Sequence, residues 1–236
     1  MYTSAVSPPR RFIEPVTDIF IETVKSSPVR FHPHFDVVTS QETFQSWRVR
    51  LHALPILSVF YVRNMLSFSA TYVSKIMDVL LDCLQDENIE VREMATESLS
   101  GLLRCSQRQS ILPLKNRFTR IVSKTTIPSR KHDNYATAIR TVHSAVLGLV
   151  ALINAYPYSV EDWMPPLTEI LARHSSDPPP IAQTIRKAAA AFKKTHTDTW
   201  HTDSLKFDED QLQALATMLS GTSYCESSSS TSLHSS

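Results

Sequence analysis

The strongest constraint on the fold is an apolar pattern that recurs along the chain. In its clearest copy, Val91-Arg92 is followed by Ala95, Leu99 and Leu102, a spacing that places the apolar residues on one face of a helix. Two other segments have matching offsets: Val49-Arg50 with Ala53, Leu57 and Phe60, and Val142-His143 with Val146, Val150 and Ile153. A weaker copy begins at Ile185-Arg186. The copies start about 40 to 50 residues apart, close to the period of HEAT and armadillo repeats.

A repeated helix pair leaves one apolar face open, and the next pair covers it. The sequence therefore predicts an all-α fold, an α-solenoid of HEAT/armadillo-like helical repeats; an irregular helical bundle is the alternative. Only three glycines occur among 236 residues, too few for the turns of a β-sandwich or for a glycine-rich phosphate loop.

Composition changes divide the chain into three parts. Residues 1–38 contain five prolines and are predicted to be irregular, with a short helix over 15–25 whose inner face is Val16, Ile19, Phe20 and Thr23. Residues 39–222 are predicted to form the solenoid, with about four helix pairs, and residues 223–236 a disordered serine-rich tail. The helices are predicted at 39–67, 70–85, 88–107, 110–125, 136–155, 159–174, 180–194 and 208–220.

Seven residues form the predicted structural signature of the repeat. The polar run Asp86-Glu87-Asn88 is expected to make a tight turn and to cap the next helix. The valine is expected to enter the core, and the arginine to pair with acids of the turn or of a neighbouring repeat. The signature consists of Val49, Arg50, Asp86, Val91, Arg92, Ala95 and Leu99.

Charge and cysteine usage exclude several classes of protein. The formal net charge is +1, which predicts no direct nucleic-acid partner. Three separated cysteines without a CxxC pair predict neither a disulfide framework nor a zinc site. No window was expected to reach the length of a membrane span; Leu51–Phe60 was the most apolar segment recognised, and the N-terminus has no apolar signal core. We therefore expect an intracellular chain without a membrane partner.

No catalytic, cofactor or metal site is predicted. His32, His34 and Asp36 have metal-ligand spacing, but a proline lies between the histidines, so a surface loop is the preferred interpretation. His196 and His201 do not form HExxH and are expected on a polar turn. The tryptophans, Trp47, Trp163 and Trp200, are expected to anchor packing between helices.

Several motifs, in order from about residue 44 to 225, resemble the C-terminal HEAT repeats of the proteasome activator complex subunit 4 family. They are Ser46-Trp47-Arg48, Glu90 to Ala95, Leu99 to Leu103, Val146 to Leu149, Tyr156 to Tyr158, Asp162 to Pro165, Thr195 to Trp200 and Phe207 to Leu212. The resemblance implies a non-catalytic activator that docks on the α-subunits of the core proteasome and promotes substrate entry. It also implies a nuclear and cytoplasmic location, a link to DNA repair and acetylated histones as partners.

By resemblance, docking residues lie at the C-terminus, at Ser223, Tyr224 and Cys225. In the family a terminal carboxylate pairs with a lysine between two α-subunits, and the penultimate tyrosine packs against the gate-setting turn. Here Ser223 replaces a hydrophobic residue, and eleven residues follow Cys225, so the carboxylate is missing at that position. The tail is a mistaken extension of the sequence, a segment that is cleaved, or a true divergence; alternatively, Tyr224 is an ordinary tail residue.

The family is also associated with acetyl-lysine reading near residues 45–130. Here the loop of residues 106–109, Ser-Gln-Arg-Gln, departs from the family pattern, and the sequence predicts no aromatic pocket. Two other functions remain open from the sequence: a general HEAT scaffold for protein–protein interaction, and an enzyme, for which no motif appears.

Overall fold

The computed structural model describes residues 10–25 and 39–220, and all regular structure in these ranges is helical. The all-α prediction is therefore confirmed. The α-helices are α1 (Arg10–Lys25), α2 (Thr39–Asn64), α3 (Ala70–Cys83), α4 (Ile89–Cys105), α5 (Ile111–Lys124), α6 (Tyr135–Asn154), α7 (Pro165–Ala172), α8 (Ile181–Thr195), α9 (Trp200–Asp203) and α10 (Glu209–Ser220). Short 3-10 helices span Met65–Ser67, Arg108–Ser110 and Ser204–Lys206.

The chain forms two compact units. Unit 1 contains the residues up to Ile121 together with Leu147–Ala155, and unit 2 contains Val122–Val146 together with the residues from Tyr156 onwards. Helix α6 is continuous and contributes its first part to unit 2 and its last part to unit 1.

The core of unit 1 is mainly aliphatic. Helix α4 packs against α2 and α3, and α1 packs against α2 and α3. The α4 face predicted from the repeat pattern is buried, because its apolar residues recur every three or four positions and meet both neighbours at once. The buried apolar residues of α2 and α4 include Ala53, Leu54, Leu57, Tyr61, Val91, Ala95, Leu99, Leu102 and Leu103.

The described part of unit 2 is organised around aromatic rings. Helix α10 packs against α7 and α8. A cluster of three buried residues, Val160, Met164 and Phe207, is surrounded by partly buried large side chains. We call these eight residues the aromatic cluster; the other members are Tyr156, Trp163, Phe192, Trp200 and Leu212. The expected packing role of Trp163 and Trp200 is confirmed.

The capping box predicted at the start of the last helix is present. The Gln211 amide donates to Asp208 Oδ1 at 2.8 Å, and the Asp208 amide donates to Gln211 Oε1 at 3.2 Å. Each side chain thus satisfies a backbone donor that the first turn leaves free, which fixes the start of α10.

The first helix differs from its prediction in both length and orientation. It begins at Arg10, five residues before the predicted start, and passes through Pro15. Ile19 is 65% exposed, so it does not belong to the inner face. The buried residues of α1 are Ile13, Thr17, Ile21 and Val24. The prediction failed because it treated Pro15 as the first helical residue, whereas the helix accommodates it within its second turn.

Two further predictions in unit 2 were wrong: the start of one helix and the assignment of one segment as a turn. The predicted helix at 159–174 is shorter, because α7 begins only at Pro165; the fixed φ and missing N–H of proline suit a first helical turn. The segment predicted as a polar turn contains α9, in which Thr199 Oγ1 donates to Asp203 Oδ2 at 2.5 Å and Asp203 is buried.

Helix α6 corrects the expectation about apolar length. Its 20 residues are long and apolar enough, by length and composition, to cross a membrane, so Leu51–Phe60 is not the most apolar segment. Within the structure 61% of this window is buried. The core helix of a soluble protein passes the same test, so the finding is weak evidence for a membrane.

Candidate functional site

The predicted repeat signature forms a polar network at the turn between α3 and α4. Arg50 Nε on α2 donates to Asp86 Oδ2 at 2.7 Å, and both side chains are largely buried. Asp86 Oδ1 accepts from the Asn88 amide at 2.9 Å and from Asn88 Nδ2 at 3.2 Å. One carboxylate therefore ties the turn to the neighbouring helix and also closes the turn.

Arg92 completes this turn from inside α4. Its Nη1 donates to the Asp86 carbonyl oxygen at 2.8 Å and to the Glu87 carbonyl oxygen at 3.4 Å. The expected pairing of the signature arginine with an acid is confirmed for Arg50, and Arg92 contacts the same turn through its backbone carbonyl oxygens. Asn88 occupies the N-cap position, but its side chain makes no capping bond, so the expected capping is wrong at this residue; its Nδ2 donates to Asp86.

The valine of the signature behaves differently in its two copies. Val91 is fully buried, whereas Val49 is 44% exposed. The inward face of α2 is formed by residues such as Ala53, Leu54 and Leu57, and Val49 lies to one side of it. The expectation that the valine enters the core is therefore confirmed at residue 91 and wrong at residue 49.

A buried thiol lies one turn before the polar network. Cys83 ends α3 and is 5% exposed. Burial, together with the nearby Asp86 carboxylate, raises the pKa of the Cys83 thiol from 9.0 to about 12. The thiol therefore stays protonated at neutral pH and is a poor nucleophile; Cys105, by contrast, is exposed.

Unit 1 also contains an open cleft of about 380 Å³. Its walls come from the end of α2, the start of α3 and the loop after α4. They combine two aromatic rings, two methionines and several small polar groups. The lining residues are Tyr61, Met65, Phe68, Ala70, Val73, Ser74, Met77, Ser106, Gln107, Gln109 and Ser110.

The geometry of the cleft corrects the expectation that no aromatic pocket forms there. The rings of Tyr61 and Phe68 lie 5.3 Å apart, tilted by 31°. The Tyr61 and Ser106 hydroxyls share a hydrogen bond, and Gln109 Nε2 donates to Gln107 Oε1 at 2.9 Å. The lining thus combines aromatic and methionine side chains with amide and hydroxyl groups, although the Tyr61 ring itself is buried.

This cleft could not be found from the sequence, because the residues on its two sides are some 40 positions apart in the chain. The aromatic residues near the end of α2 were the available signal. Only the packing of α2 on α4 brings them to the divergent loop, and that packing was not predicted in detail.

In unit 2 the structure describes the support of the predicted docking segment but not the segment itself. Ser223, Tyr224 and Cys225 lie outside the described residues, as do His32, His34 and Asp36. The last described helix, α10, is held by Leu215 and Met218, which are buried, and Thr168 Oγ1 on α7 donates to the Gln211 carbonyl oxygen at 3.2 Å.

The two histidines expected on a polar turn of unit 2 occupy different environments. His196 is 1% exposed and its ring stacks on Phe192 with 4.2 Å between centroids, whereas His201 lies on α9 and is exposed. His196 therefore lies in the turn after α8, as expected, but is buried there, whereas the expectation is wrong for His201, which lies in a helix. Within residues 10–25 and 39–220, no group of three His, Cys, Asp or Glu side chains is placed to hold a metal ion.

Two family models match the chain. Residues 76–106, which include most of α3 and all of α4, match the HEAT repeat, and this confirms the predicted repeat class at the polar turn. Residues 139–226 match the family "Proteasome activator complex subunit 4-like, C-terminal". That match begins within α6 and includes the aromatic cluster and α10.

Proteins named as proteasome activator subunit 4 are similar over most of the chain. Proteasome activator complex subunit 4A of Danio rerio is 35% identical over 184 residues, which cover 74% of this chain and 10% of that protein. Proteasome activator subunit 4 of Arabidopsis thaliana is 34% identical over 189 residues, which cover 80% of this chain and 10% of that protein. Proteasome activator complex subunit 4 of Homo sapiens is 34% identical over 184 residues, which cover 74% of this chain and 10% of that protein. The match spans about a tenth of the length of these relatives.

Proposed function

The chain belongs, through residues 139–226, to the C-terminal domain family of proteasome activator complex subunit 4, and on this premise we propose that it is a non-catalytic proteasome activator. The observation that carries the proposal is the match itself, which is supported by relatives named as activators. The match spans about a tenth of the length of those relatives, and the role proposed for this part is binding to the core proteasome.

The proposed contact is the segment after α10 with the α-subunits of the core proteasome. A carboxylate at the end of this segment would make a charge-assisted bond with a lysine, which is stronger than a neutral hydrogen bond. Glu226 and the residues after it remove that carboxylate from Cys225. Docking by this route therefore requires a chain that ends at Cys225.

The test compares the full chain with a chain truncated after Cys225 in binding to purified core proteasomes and in stimulation of peptide hydrolysis. We expect tighter binding and higher stimulation from the truncated chain. A Tyr224→Ala version of the truncated chain should lose this gain. Equal binding by all three proteins would contradict a role for the terminal carboxylate.

A second candidate function is binding of acetylated histone tails in the cleft of unit 1. The observation that favours it is the pair of rings, Tyr61 and Phe68, beside the Gln107 amide. An acetyl-lysine side chain has an alkyl stem that packs on aromatic rings and an amide that pairs with a polar rim. This binding would connect the chain to histone degradation and DNA repair.

The experiment for this function measures binding of histone-tail peptides, acetylated and unmodified, by fluorescence anisotropy. We expect the acetylated peptide to bind more tightly, and Phe68→Ala and Gln107→Ala to remove the difference. Leu112→Ala serves as the control, because Leu112 is 53% exposed and lies outside the cleft. Equal binding of both peptides to the unaltered chain would exclude the acetyl-lysine function.

A general HEAT scaffold is the alternative to both functions. An affinity purification that returns other proteins but no proteasome subunits would favour the scaffold. The activator proposal places the chain in the nucleus and the cytoplasm, and fractionation of cells that express a tagged chain checks this location.

A further inference from the structure

Positive charge is concentrated in one stretch of the chain. Residues 98–160 contain nine arginine and lysine residues but only one acidic residue, Asp133. The net charge of the whole chain is +1, so an excess of acids elsewhere cancels this stretch in the sum. The expectation that no nucleic acid binds rests on that sum, which hides the separation of charges. A nucleic-acid backbone responds to a local patch or stripe of cations.

Helix α5 arranges three of these cations in a line. Its inner face consists of buried apolar residues: Ile111, Leu114, Phe118 and Val122. Arg117, Arg120 and Lys124 are exposed and follow each other at intervals of three and four residues, so they lie along one side of the helix. We call these three residues the α5 basic stripe. At a rise of about 1.5 Å per residue, the stripe is about 10 Å long.

The helices around the stripe contain no acidic residues. Neither α5 nor α6 has an aspartate or a glutamate, and Gly148 of α6 lies beside the Phe118 ring on the inner face of α5. Within the described residues none of the three cations forms a salt bridge. The exposed Arg130 and Lys131 follow α5 in the chain, together with the single acid Asp133. The charge of the stripe is therefore not neutralised by carboxylates of α5 or α6.

The stripe matches the chemistry of a phosphate backbone. A guanidinium group binds a phosphate through two parallel hydrogen bonds, and two of the three cations are arginines. Each strand of DNA has one phosphate per about 3.4 Å of helix axis, so a line of about 10 Å meets about three phosphates. Asn116 and Ser123 are exposed beside the stripe and add amide and hydroxyl donors of the kind that contact phosphates.

The stripe lacks the groups that other anionic partners need. Single strands are held by stacking of bases on aromatic rings, but Phe118, the aromatic residue of α5, is 4% exposed and faces inward. An RNA duplex is recognised through 2′-hydroxyl groups across a wide minor groove, which a single line of cations does not span. Insertion into a membrane needs a row of exposed apolar side chains, and α5 has only Leu112. Duplex DNA is therefore the ligand that fits.

We propose that the α5 basic stripe binds the phosphate backbone of double-stranded DNA without reading its sequence. Arg117 and Arg120 each hold one phosphate through two hydrogen bonds, and Lys124 acts as a point charge on a third. The binding is electrostatic, so it weakens steeply as salt is added. The proposal does not rest on proteasome activation, because it uses only the charges and the spacing of residues on α5 and in the chain next to it.

The test is binding of the full chain to a labelled DNA duplex, measured by fluorescence anisotropy at several salt concentrations. We expect the logarithm of the binding constant to fall with the logarithm of salt concentration, with a slope of about −3 to −5 from the stripe and the two following cations. Arg117→Gln together with Arg120→Gln should weaken binding at least about tenfold and make the slope shallower by about 2. Two duplexes of unrelated sequence should bind equally. Both arginines are exposed, so circular dichroism should show an unchanged helix content.

The matched control is Lys193→Gln together with Lys194→Gln. It removes the same amount of charge, and both lysines are exposed near the end of α8, outside the stripe. Exposed charges that do not touch the DNA are largely screened by salt. We therefore expect the control to change the affinity by less than about twofold.

Three results would overturn the proposal. The first is the absence of binding at about 50 mM salt, where non-specific contacts are strong. The second is an equal loss of affinity in the control, because total charge rather than the stripe would then drive binding. The third is tighter binding of a single strand, of an RNA duplex of the same sequence or of phosphatidylserine vesicles, since the stripe would then serve a different anionic partner.

Discussion

Unit 1 and unit 2 are both helical, but they place their polar and aromatic side chains differently. In unit 1 Asp86 joins two arginines at a turn, Arg50 through its carboxylate and Arg92 through its backbone carbonyl oxygen, and the core around it is mainly aliphatic. In the described part of unit 2 the Asp208–Gln211 capping box lies at the surface, polar groups such as Asp203 are buried one by one, and the named cluster consists largely of aromatic rings.

The comparison shows which part of the chain the repeat pattern describes. The HEAT match coincides with the polar turn of unit 1, whereas the C-terminal family match coincides with the aromatic cluster. A repeat is specified by the same turn in each copy. The aromatic cluster of unit 2 instead joins side chains spread from residue 156 to residue 212.

The largest effect should come from removing a ring from the aromatic cluster. Phe207 is 7% exposed and meets Phe192 and Trp200 at centroid distances of 6.2 and 6.0 Å. Phe207→Ala should lower the free energy of unfolding by about 3–5 kcal/mol. Hydrogen exchange should rise in peptides from residues 156–220 more than in peptides from residues 47–105. Leu205→Ala, at a site that is 82% exposed, should change neither; a uniform rise across both regions would erase the distinction between the units.

The reverse pattern is expected when the polar turn is broken. Asp86→Ala removes the carboxylate that accepts from Arg50 and from Asn88, and the loss of one member of a mostly buried ion pair costs about 2–4 kcal/mol. Hydrogen exchange should now rise in residues 47–105. The control is Asp82→Ala, an exposed carboxylate on α3, which should stay within about 0.5 kcal/mol of the unaltered chain. If Asp86→Ala changed the unfolding free energy no more than this control does, the polar network would not contribute to stability.

A pair of glycines tests how tightly the aliphatic core is packed. A Cβ atom at Gly148 on α6 would lie 2.5 Å from the ring of buried Phe118, whereas one at Gly101 on α4 meets nothing within 4 Å. Gly148→Ala should therefore destabilise the chain by about 1–2 kcal/mol, since overpacking exceeds the gain in helix propensity. Gly101→Ala should stabilise it by about 0.5–1 kcal/mol. Urea denaturation measures both, and equal signs for the two variants would contradict the packing at Phe118.

The sequence predicted what depends on local spacing. The helices around residues 70–155, the pairing of the signature arginines with the turn and the capping box at Asp208 all follow from residues a few positions apart. These features are set by the helical period and by short-range hydrogen bonds, so one chain is enough to identify them.

The predictions that were wrong concern residues whose environment depends on contacts between segments far apart in the sequence. Val49 has the offset of Val91, yet α2 turns a different side to the core. The turn predicted around His201 is instead helix α9, and the turn residue His196 is buried with its ring stacked on Phe192. The cleft between Tyr61 and Gln107 needs the end of α2 and the loop after α4 together. No local pattern contains that information, because each case joins segments through tertiary contacts.

A last effect, confined to unit 1, should appear only at alkaline pH. The pKa of the buried Cys83 thiol is raised to about 12 from 9.0, so between these values the unfolded chain loses the proton and the folded chain keeps it. Stability therefore falls as pH rises above 9, by up to about 1.4 kcal/mol per pH unit from this group, and is unaffected by it at lower pH. The slope of unfolding free energy between pH 9 and 10.5 should be shallower in Cys83→Ala, while Cys105→Ala, at an exposed site, should keep the original slope. Parallel slopes in all three chains would show that Cys83 ionises in the folded protein as easily as in the unfolded one, and that the interior beside Asp86 admits water.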